Sequence, residues 1–291
     1  MTERPFFRLG LTGYPLGHSL SPRLHTAALA AARLPGEYQL YPADPAEPRR
    51  LAELAACLRT GELNGLNVTI PHKQAILAHL DGLTPLAQRL GAVNTLYMEG
   101  GRLLGDNTDA PGFWADFNRL PGAQTPGLAL VLGAGGSARA VTAALLAHGW
   151  QVGLAARRRT QAEQLLAELH AGAQAQAIDL TADALRPYTT PARALINTTP
   201  AGMHPHTQDC AWPDELPLPG GAIVYDLIYN PACTRLITRA NAQGLAARSG
   251  LGMLIEQAAL AFARWTGIQP PRAALWQAAP AEFVLSATDL P

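Results

Sequence analysis

Lysine is all but missing from this chain of 291 residues: Lys73 is the only one, and the other 21 of its 22 basic residues are arginines. Charge is scarce as well, at 15% of residues against 48% apolar, with a formal net charge of zero. That balance excludes a disordered chain. With the arginines scattered except at Arg157-Arg158-Arg159, it leaves no basic footprint for nucleic acid. Cysteine is limited to Cys57, Cys210 and Cys233, odd in number and without metal-ligand or CxxC spacing. Reduced thiols in a cytoplasmic protein are expected rather than a disulfide framework. His204 and His206 flank Pro205 with no third ligand near in sequence, so no metal site is expected. No apolar run approaches the ~18–20 residues of a membrane span. Met1-Thr2-Glu3-Arg4-Pro5 has none of the apolar core of a secretory leader.

What remains is a chain long enough for two ordinary domains. Its first third alternates: strand Phe7 to Leu11, helix Pro22 to Leu34, strand Tyr38 to Tyr41, helix about Arg49 to Leu58, strand Leu66 to Ile70, helix about Lys73 to Leu80. That order predicts a mainly parallel sheet with helical crossovers. Asn94 to Glu99 and Arg102 to Asp106 then flank Gly100-Gly101, a hairpin signal. A helix is expected after Pro111-Gly112, where Asp109 is placed to cap it. A second alternating series starts at Leu128, with strands Leu128 to Leu132, Gln151 to Ala155, Ala194 to Asn197 and Ile223 to Leu227, and helices Ser137 to His148 and Gln161 to Ala171. A last long helix, about Met253 to Thr266, follows Gly250-Leu251-Gly252.

The first strand of the second series runs into Gly133-Ala134-Gly135-Gly136-Ser137-Ala138, a G-x-G-x-x-A pattern that opens a helix. The first Gly allows a tight turn and the second lets the backbone approach a pyrophosphate. The small last residue lets helix meet strand, and the helix N-terminus offers unpaired N–H groups to the anion. A glycine-rich turn with no ligand is the plain alternative. A site for NAD wants an Asp or Glu about 20 residues on. Here that stretch reads Gly153-Leu154-Ala155-Ala156-Arg157-Arg158-Arg159, with no acid. A guanidinium grips a 2′-phosphate with paired hydrogen bonds, so NADP is favoured over NAD, against the alternative of a solvated basic loop.

Arginine does not give up its proton in a protein, whereas an ammonium does. One amine kept amid such depletion suggests proton exchange at Lys73, though chance survival of a surface lysine also accounts for it. Lys73 follows Thr69 and Pro71 near the carboxyl end of a strand, the edge at which open α/β sheets bind ligands. Ser21 before Pro22 reads as a helix N-cap, and Ser19 with Ser21 sets two hydroxyls one residue apart, suited to a small carboxylate. Counting outward from the glycine turn, Glu99 faces Arg102 and Asn94 falls opposite Asn107, two residues from Asp109. Asn94 and Asn107 also suit plain turn positions.

Together these segments resemble the shikimate dehydrogenase family. The resemblance is carried by Gly13-Tyr14-Pro15 to His25, Asn67-Val68-Thr69-Ile70-Pro71-His72-Lys73, Gly91-Ala92-Val93-Asn94-Thr95 and Gly105-Asp106-Asn107-Thr108-Asp109. It continues through Gly133 to Ala140, Asn197-Thr198-Thr199-Pro200-Ala201-Gly202-Met203, Tyr225 to Pro231 and Gly250-Leu251-Gly252-Met253-Leu254-Ile255-Glu256-Gln257. It implies NADP-dependent, reversible reduction of 3-dehydroshikimate to shikimate in aromatic amino-acid biosynthesis, by a monomer or homodimer. It also implies a two-domain α/β fold with a cleft between the domains: a substrate-binding and catalytic domain over 1–110, completed by C-terminal helices over 249–291, and an NADP-binding Rossmann-like domain over 111–248. Carried over by position, Ser19 and Ser21 would hold the substrate carboxylate. Thr69, Asn94, Asp109 and Gln257 would bind ring hydroxyls, with Tyr229 bordering the pocket, and Lys73 and Asp109 would form the catalytic pair. Gly133, Ala134, Gly135, Gly136, Ser137, Ala138, Arg157, Arg158, Thr199, Met203, Leu227 and Gly250 would contact the cofactor. The family's usual Asn-Arg-Thr is here Ala156-Arg157-Arg158, so only Arg157 carries over directly. Two alternatives stand beside this reading: a quinate/shikimate dehydrogenase using NAD or both cofactors, and a non-catalytic sensor of NADPH or a metabolite.

Overall fold

The structure, a computed structural model, describes residues 5–17, 19–47 and 49–284. His18, in the predicted serine segment, and the part of the predicted C-terminal stretch from 285 on lie outside them. Among these residues the chain falls into two compact units, one drawn from Met1–Thr108 and Ile255–Ala279, the other from Asp109–Leu254 and the segment from Pro280 on.

The first unit begins β1 (Phe7–Gly13), α1 (Ser21–Ala31), β2 (Gly36–Pro42), α2 (Arg49–Thr60) and β3 (Gly65–Val68). After a 3₁₀ segment at Ala75–His79 come β4 (Gly82–Leu83), α3 (Pro85–Leu90), β5 (Thr95–Glu99) and β6 (Arg102–Asp106). The sheet order is β2-β1-β3-β5-β6-β4. β1 pairs parallel with β2 and β3, and β4 with β6, while β5 is antiparallel to both β3 and β6. The sheet is therefore mixed, because the glycine turn folds β6 back along β5. Gly100 and Gly101 both have positive φ, 57° and 77°, the backbone that a two-residue hairpin needs and other residues resist. Glu99 pairs with Arg102 and Thr95 with Asp106, which is the register counted from the sequence.

The helix expected over Lys73 to Leu80 is instead the short 3₁₀ segment. Asp81 is drawn back to the sheet, its N–H donating to the Leu103 carbonyl at 2.8 Å and its Oδ2 accepting from Leu103 N–H at 2.7 Å. The few residues left before β4 cannot complete a longer α-helix. Alternation along β3 sends Leu66 and Val68 into a core with Leu51, Leu54, Leu58, Ile76, Leu96 and Leu103, and leaves Asn67 on the opposite face. That face packs Leu9, Leu11, Ala28, Leu29 and Tyr38 against Phe262 and Trp265.

The second unit contains α4 (Asp109–Phe117), β7 (Leu128–Leu132), α5 (Gly136–Ala147), β8 (Gln151–Ala156), α6 (Arg159–Glu168), β9 (Ala175–Asp179) and α7 (Ala182–Leu185). Then follow β10 (Ala192–Asn197), β11 (Ile223–Asp226), α8 (Arg235–Ala242) and β12 (Ala247–Ser249). α9 (Leu251–Thr266) passes from this unit into the first, where α10 (Arg272–Ala278) packs on α1. All six strands are parallel, in the order β9-β8-β7-β10-β11-β12. Numbered within the unit this is 3-2-1-4-5-6, the doubly wound arrangement that binds dinucleotides where the order reverses, between β7 and β10. Leu130, Val131 and Leu132 are fully buried, as a strand covered by helices on both faces requires.

Asp116 on α4 is fully buried and held by Tyr225 Oη, which donates to Oδ2 at 2.7 Å, and by the Arg248 guanidinium, 2.9 Å from Oδ1. Burial still pushes its carboxyl above the ordinary range, with Arg248 and Tyr225 acting the other way. Tyr225→Phe keeps the ring contact with Phe113 and removes this donor. It is expected to cost ~1.5–3 kcal/mol of unfolding free energy in a urea titration; an unchanged midpoint would mean that Arg248 alone satisfies the carboxylate.

Candidate functional site

Each unit carries one cluster of polar side chains at the carboxyl ends of its strands. In the first, β3 ends at Val68, and Thr69 stays tied to β1 by its N–H, which donates to the Thr12 carbonyl at 2.8 Å. The chain then turns through Pro71. The half-buried Lys73 is anchored by its carbonyl, which accepts from Val93 N–H at 2.8 Å, one residue before Asn94. His72 beside it is buried, its Nε2 2.7 Å from the Ala43 carbonyl.

Asn94 is buried at the centre of a hydrogen-bond network. Its Oδ1 accepts from Thr108 N–H at 2.8 Å and Thr95 Oγ1 at 3.0 Å, and its Nδ2 donates to Thr108 Oγ1 at 3.0 Å. Asn67 continues the network, its Nδ2 donating to the Asn94 carbonyl at 3.0 Å and its Oδ1 accepting from Tyr38 Oη at 2.9 Å. Asn107 Nδ2 donates to the Ala92 carbonyl at 3.1 Å and so braces the turn. Tyr38, whose hydroxyl also interacts with Ser21, is held un-ionised by burial.

Ser21 departs from expectation as a cap. It is the first residue of α1, Leu20 stands at the N-cap without a side-chain cap bond, and Ser19 Oγ accepts from Ser21 N–H at 3.2 Å. The same two-residue spacing lets Ser19 Oγ accept from the backbone, a bond that does not use the hydroxyl proton. Ser21 is buried and Ser19 half-buried. Gln257 lies buried on α9, in the same unit. Asp109, buried, opens α4 as the first residue of the other unit.

In the second unit β7 ends at Leu132 and the chain turns at Gly133, whose φ is +108°. A Cβ there would lie 2.7 Å from Thr198 Oγ1, so only glycine fits. Thr198 crosses from the end of β10, its N–H and Oγ1 both donating to the Leu132 carbonyl, at 2.9 and 2.6 Å. α5 then begins at Gly136 behind an N-cap glycine, Gly135, with no side chain capping its first turn. Backbone N–H groups therefore remain for an anion. Ala134 and Ser137 are half-buried, and Ala138 is buried under the loop. Arg157 and Arg158 stand exposed directly after β8.

The remaining cofactor candidates lie on loops gathered by one buried carboxylate. Asp226 Oδ1 accepts from Asn197 Nδ2 at 2.9 Å and Ile228 N–H at 3.1 Å, and Oδ2 from Thr234 Oγ1 at 2.6 Å. Burial raises this carboxyl to about 6, the three donors acting the other way. Thr199 is held through Asn197 Oδ1, which accepts from its N–H at 3.0 Å and its Oγ1 at 2.7 Å. Gly250 packs onto the Leu227 backbone, where a Cβ would not fit, and Tyr229 stacks edge-on against Phe283. Met203 is exposed. Tyr38, Asn67, Asn197 and Asp226 were not singled out from the sequence; the available signal was a polar residue inside or ending an otherwise apolar strand. Among the described residues no three His, Cys, Asp or Glu side chains cluster to hold a metal, and no helix is long and apolar enough to cross a membrane.

The family description "Shikimate dehydrogenase substrate binding domain" matches residues 11–96, and "Shikimate 5'-dehydrogenase C-terminal domain" matches residues 250–279. A relative from Salinibacter ruber named shikimate dehydrogenase (NADP(+)) is 42% identical over 275 residues, covering 92% of this chain and 95% of its own. The crystal structure of shikimate 5-dehydrogenase from Thermus thermophilus in complex with NADP(H) and shikimate is similar at a TM-score of 0.81 and 39% identity, over 94% of this chain and 98% of that one. Quinate dehydrogenase from Corynebacterium glutamicum in complex with NAD is similar at a TM-score of 0.84 and 30% identity, over 94% and 99%.

Proposed function

Because this chain belongs to the shikimate dehydrogenase family, we propose that it catalyses the NADP-dependent, reversible reduction of 3-dehydroshikimate to shikimate. It is an oxidoreductase, and the reading as a non-catalytic sensor is set aside. The observation that carries the assignment in the chain itself is Lys73, the sole lysine, anchored beside the Asn94 network. We assign residues 1–110 and 249–291 to the substrate and 111–248 to the nucleotide. Three free cysteines suit a reducing cytoplasm.

The second unit fits NADP on its own residues. The Gly133 turn admits no side chain, α5 opens uncapped, and two arginines stand where an NAD site would want an acid. Gly133 to Ala138 would hold the pyrophosphate, Arg157 and Arg158 the 2′-phosphate, and Thr199, Met203, Leu227 and Gly250 the remainder. When bound, NADPH supplies the hydride for the C3 carbonyl. Ser19 and Ser21 hold the substrate carboxylate, while Thr69, Asn94, Asp109 and Gln257 bind ring hydroxyls, with Tyr229 at the pocket's border. Asn94 is suited to this because Thr95 and Thr108 lock its rotamer and Asn67 holds its backbone carbonyl, so little freedom is lost on binding. Negative charge develops on the C3 oxygen, and the Lys73 ammonium stabilises it and then donates the proton from Nζ; in the reverse direction Nζ accepts it. Asp109 orients the amine.

Initial rates for shikimate and quinate, each with NADP and with NAD, test the reading. Fast oxidation of shikimate with NADP alone is expected. Comparable rates with quinate or NAD would transfer the chain to the catabolic type of enzyme. Removing both arginines, as Arg157→Ala with Arg158→Ala, is expected to raise KM for NADP on the order of 10-fold or more while leaving KM for NAD alone. Equal changes in both would show that neither guanidinium touches the 2′-phosphate.

A further inference from the structure

Asp226 is a fully buried carboxylate that no step of the reaction uses, and no charged side chain contributes to its titration. Its three donors come from two different loops. Asn197 Nδ2 lies at the end of β10, and Asn197 spends its other atom, Oδ1, on the N–H and hydroxyl of Thr199. Thr199 Oγ1 in turn accepts from Ala201 N–H at 3.2 Å, so the turn leading to Met203 hangs from the same amide. Ile228 N–H and Thr234 Oγ1 belong to the loop after β11, which carries Leu227 and Tyr229 and closes on Gly250, whose N–H donates to the Ile228 carbonyl at 3.1 Å. Thr234 Oγ1 also caps α8 by accepting from Ile237 N–H at 3.3 Å.

We infer that Asp226 is a positioning residue, whose hydrogen bonds with Asn197, Ile228 and Thr234 hold the Thr199 loop and the Leu227–Tyr229 loop in the one arrangement that receives the nucleotide. The inference rests on the reading of those loops as nucleotide contacts. It depends on the identity of the pair: Asp226 accepts, and Asn197 both donates to it and accepts from Thr199. An amide has both capacities, whereas an ionised carboxylate only accepts.

Asn197→Asp turns that property into a measurement. Above the pH at which the two carboxyls share a proton, two carboxylates face each other where a 2.9 Å hydrogen bond stood, and they repel. Below it, the shared proton restores the bridge and Thr199 keeps its acceptor. The exchange variant, Asn197→Asp with Asp226→Asn, restores one donor and one acceptor between the two side chains at any pH, while the amide nitrogen it places there cannot accept from Ile228 N–H. Dissociation constants for NADP by calorimetry, at pH 6 and pH 9, read the effect, with thermal melts on the same samples. The single variant is expected to bind within a few-fold of wild type at pH 6 and on the order of 10-fold more weakly at pH 9, with the exchange variant losing that dependence on pH. A single variant that is folded at pH 9 and binds like wild type overturns the inference. If it does not fold at pH 9, the comparison is made at the highest pH at which it still melts cooperatively, where binding like wild type overturns the inference. Wild-type protein that binds no NADP at either pH sinks the functional reading, and this inference falls with it; wild-type binding with an indifferent variant sinks the inference alone.

Discussion

Lys73→Ala is expected to lower kcat for shikimate oxidation by ~10²–10⁴-fold, the usual worth of a positioned proton-transfer group, with KM for shikimate changed far less. The reason is local. Lys73 is held by its backbone to Val93, so the side chain is lost without the strand end moving, and Asn94 keeps its partners in Thr95, Thr108 and Asn67. Lys73→Arg separates the two roles of the amine. It keeps a positive charge beside the developing oxyanion but offers no proton within reach of physiological pH, so it is expected to recover only a small part of the loss. Initial rates and shikimate binding measured on wild type and both variants give the answer. An arginine variant with near wild-type kcat would show that charge alone suffices and that the proton comes from elsewhere; an alanine variant with unchanged kcat would remove Lys73 from the chemistry.

The second large effect is on stability in acid. His25 is fully buried on α1, stacked parallel to Tyr38 with ring centroids 4.3 Å apart and tilted against Trp265 at 5.2 Å. Both ring nitrogens are buried without a hydrogen-bond partner, and burial lowers the imidazole from 6.5 to about 3, with the nearby Asn67 side chain acting the other way. The unfolded chain therefore takes up this proton at a pH where the folded chain refuses it. The stability that neutral His25 confers is complete above pH 6.5 and is lost as the pH falls toward 3, on the order of 5 kcal/mol in all. Asp226 works in the opposite sense over part of that window. Its folded value of about 6 against 3.8 means that the folded state binds the proton first, so acidification returns roughly 3 kcal/mol. From pH 7 to 4 the two effects nearly cancel, so wild type is expected to lose only about 1 kcal/mol, whereas His25→Phe, which keeps the stack and brings no titrating nitrogen, is expected to gain roughly 2–3 kcal/mol and a higher Tm. Melts of both proteins at pH 7, 5 and 4 check this. Parallel losses in the two would mean that other groups govern the acid limb.

Much of both units could be read along the chain because their strongest signals are local. Gly100-Gly101 determines a turn, the turn sets the register, and the register carries Asn94 toward Thr108 without reference to anything distant. Leu128 to Leu132 followed by three glycines in four residues is similarly self-contained. The strands that escaped notice, β4, β9 and β12, are all at the edges of their sheets, and Ala175-Gln176-Ala177-Ile178-Asp179 has a single β-branched residue to mark it. The hydrogen-bonded partners that escaped notice are separated along the chain: Tyr38 and Asn67 are 29 residues apart, and so are Asn197 and Asp226. Spacing of that length says nothing until the strands are placed side by side. Ser21 failed as a cap for a different reason: its neighbour Ser19 offers the backbone a competing acceptor, and local competition of that kind is invisible to a rule that reads one residue at a time.

Trp265 lies flat over Gly65, where any side chain on β3 would collide with the indole, and its Nε1 donates to the Leu96 carbonyl at 2.9 Å, 169 residues away. With Phe262 it completes the core under β1 and β2. As the chain leaves the ribosome, the six strands of the second sheet lie in the continuous stretch Asp109–Leu254, whereas the sheet begun earlier waits for Ile255–Ala279 to cover it. The sheet that starts first is thus covered only after every strand of the other has been made. Its slow, long-range closure leaves an apolar sheet face open throughout synthesis of the intervening unit, which is the interval in which a nascent chain of this design most needs protection from its neighbours.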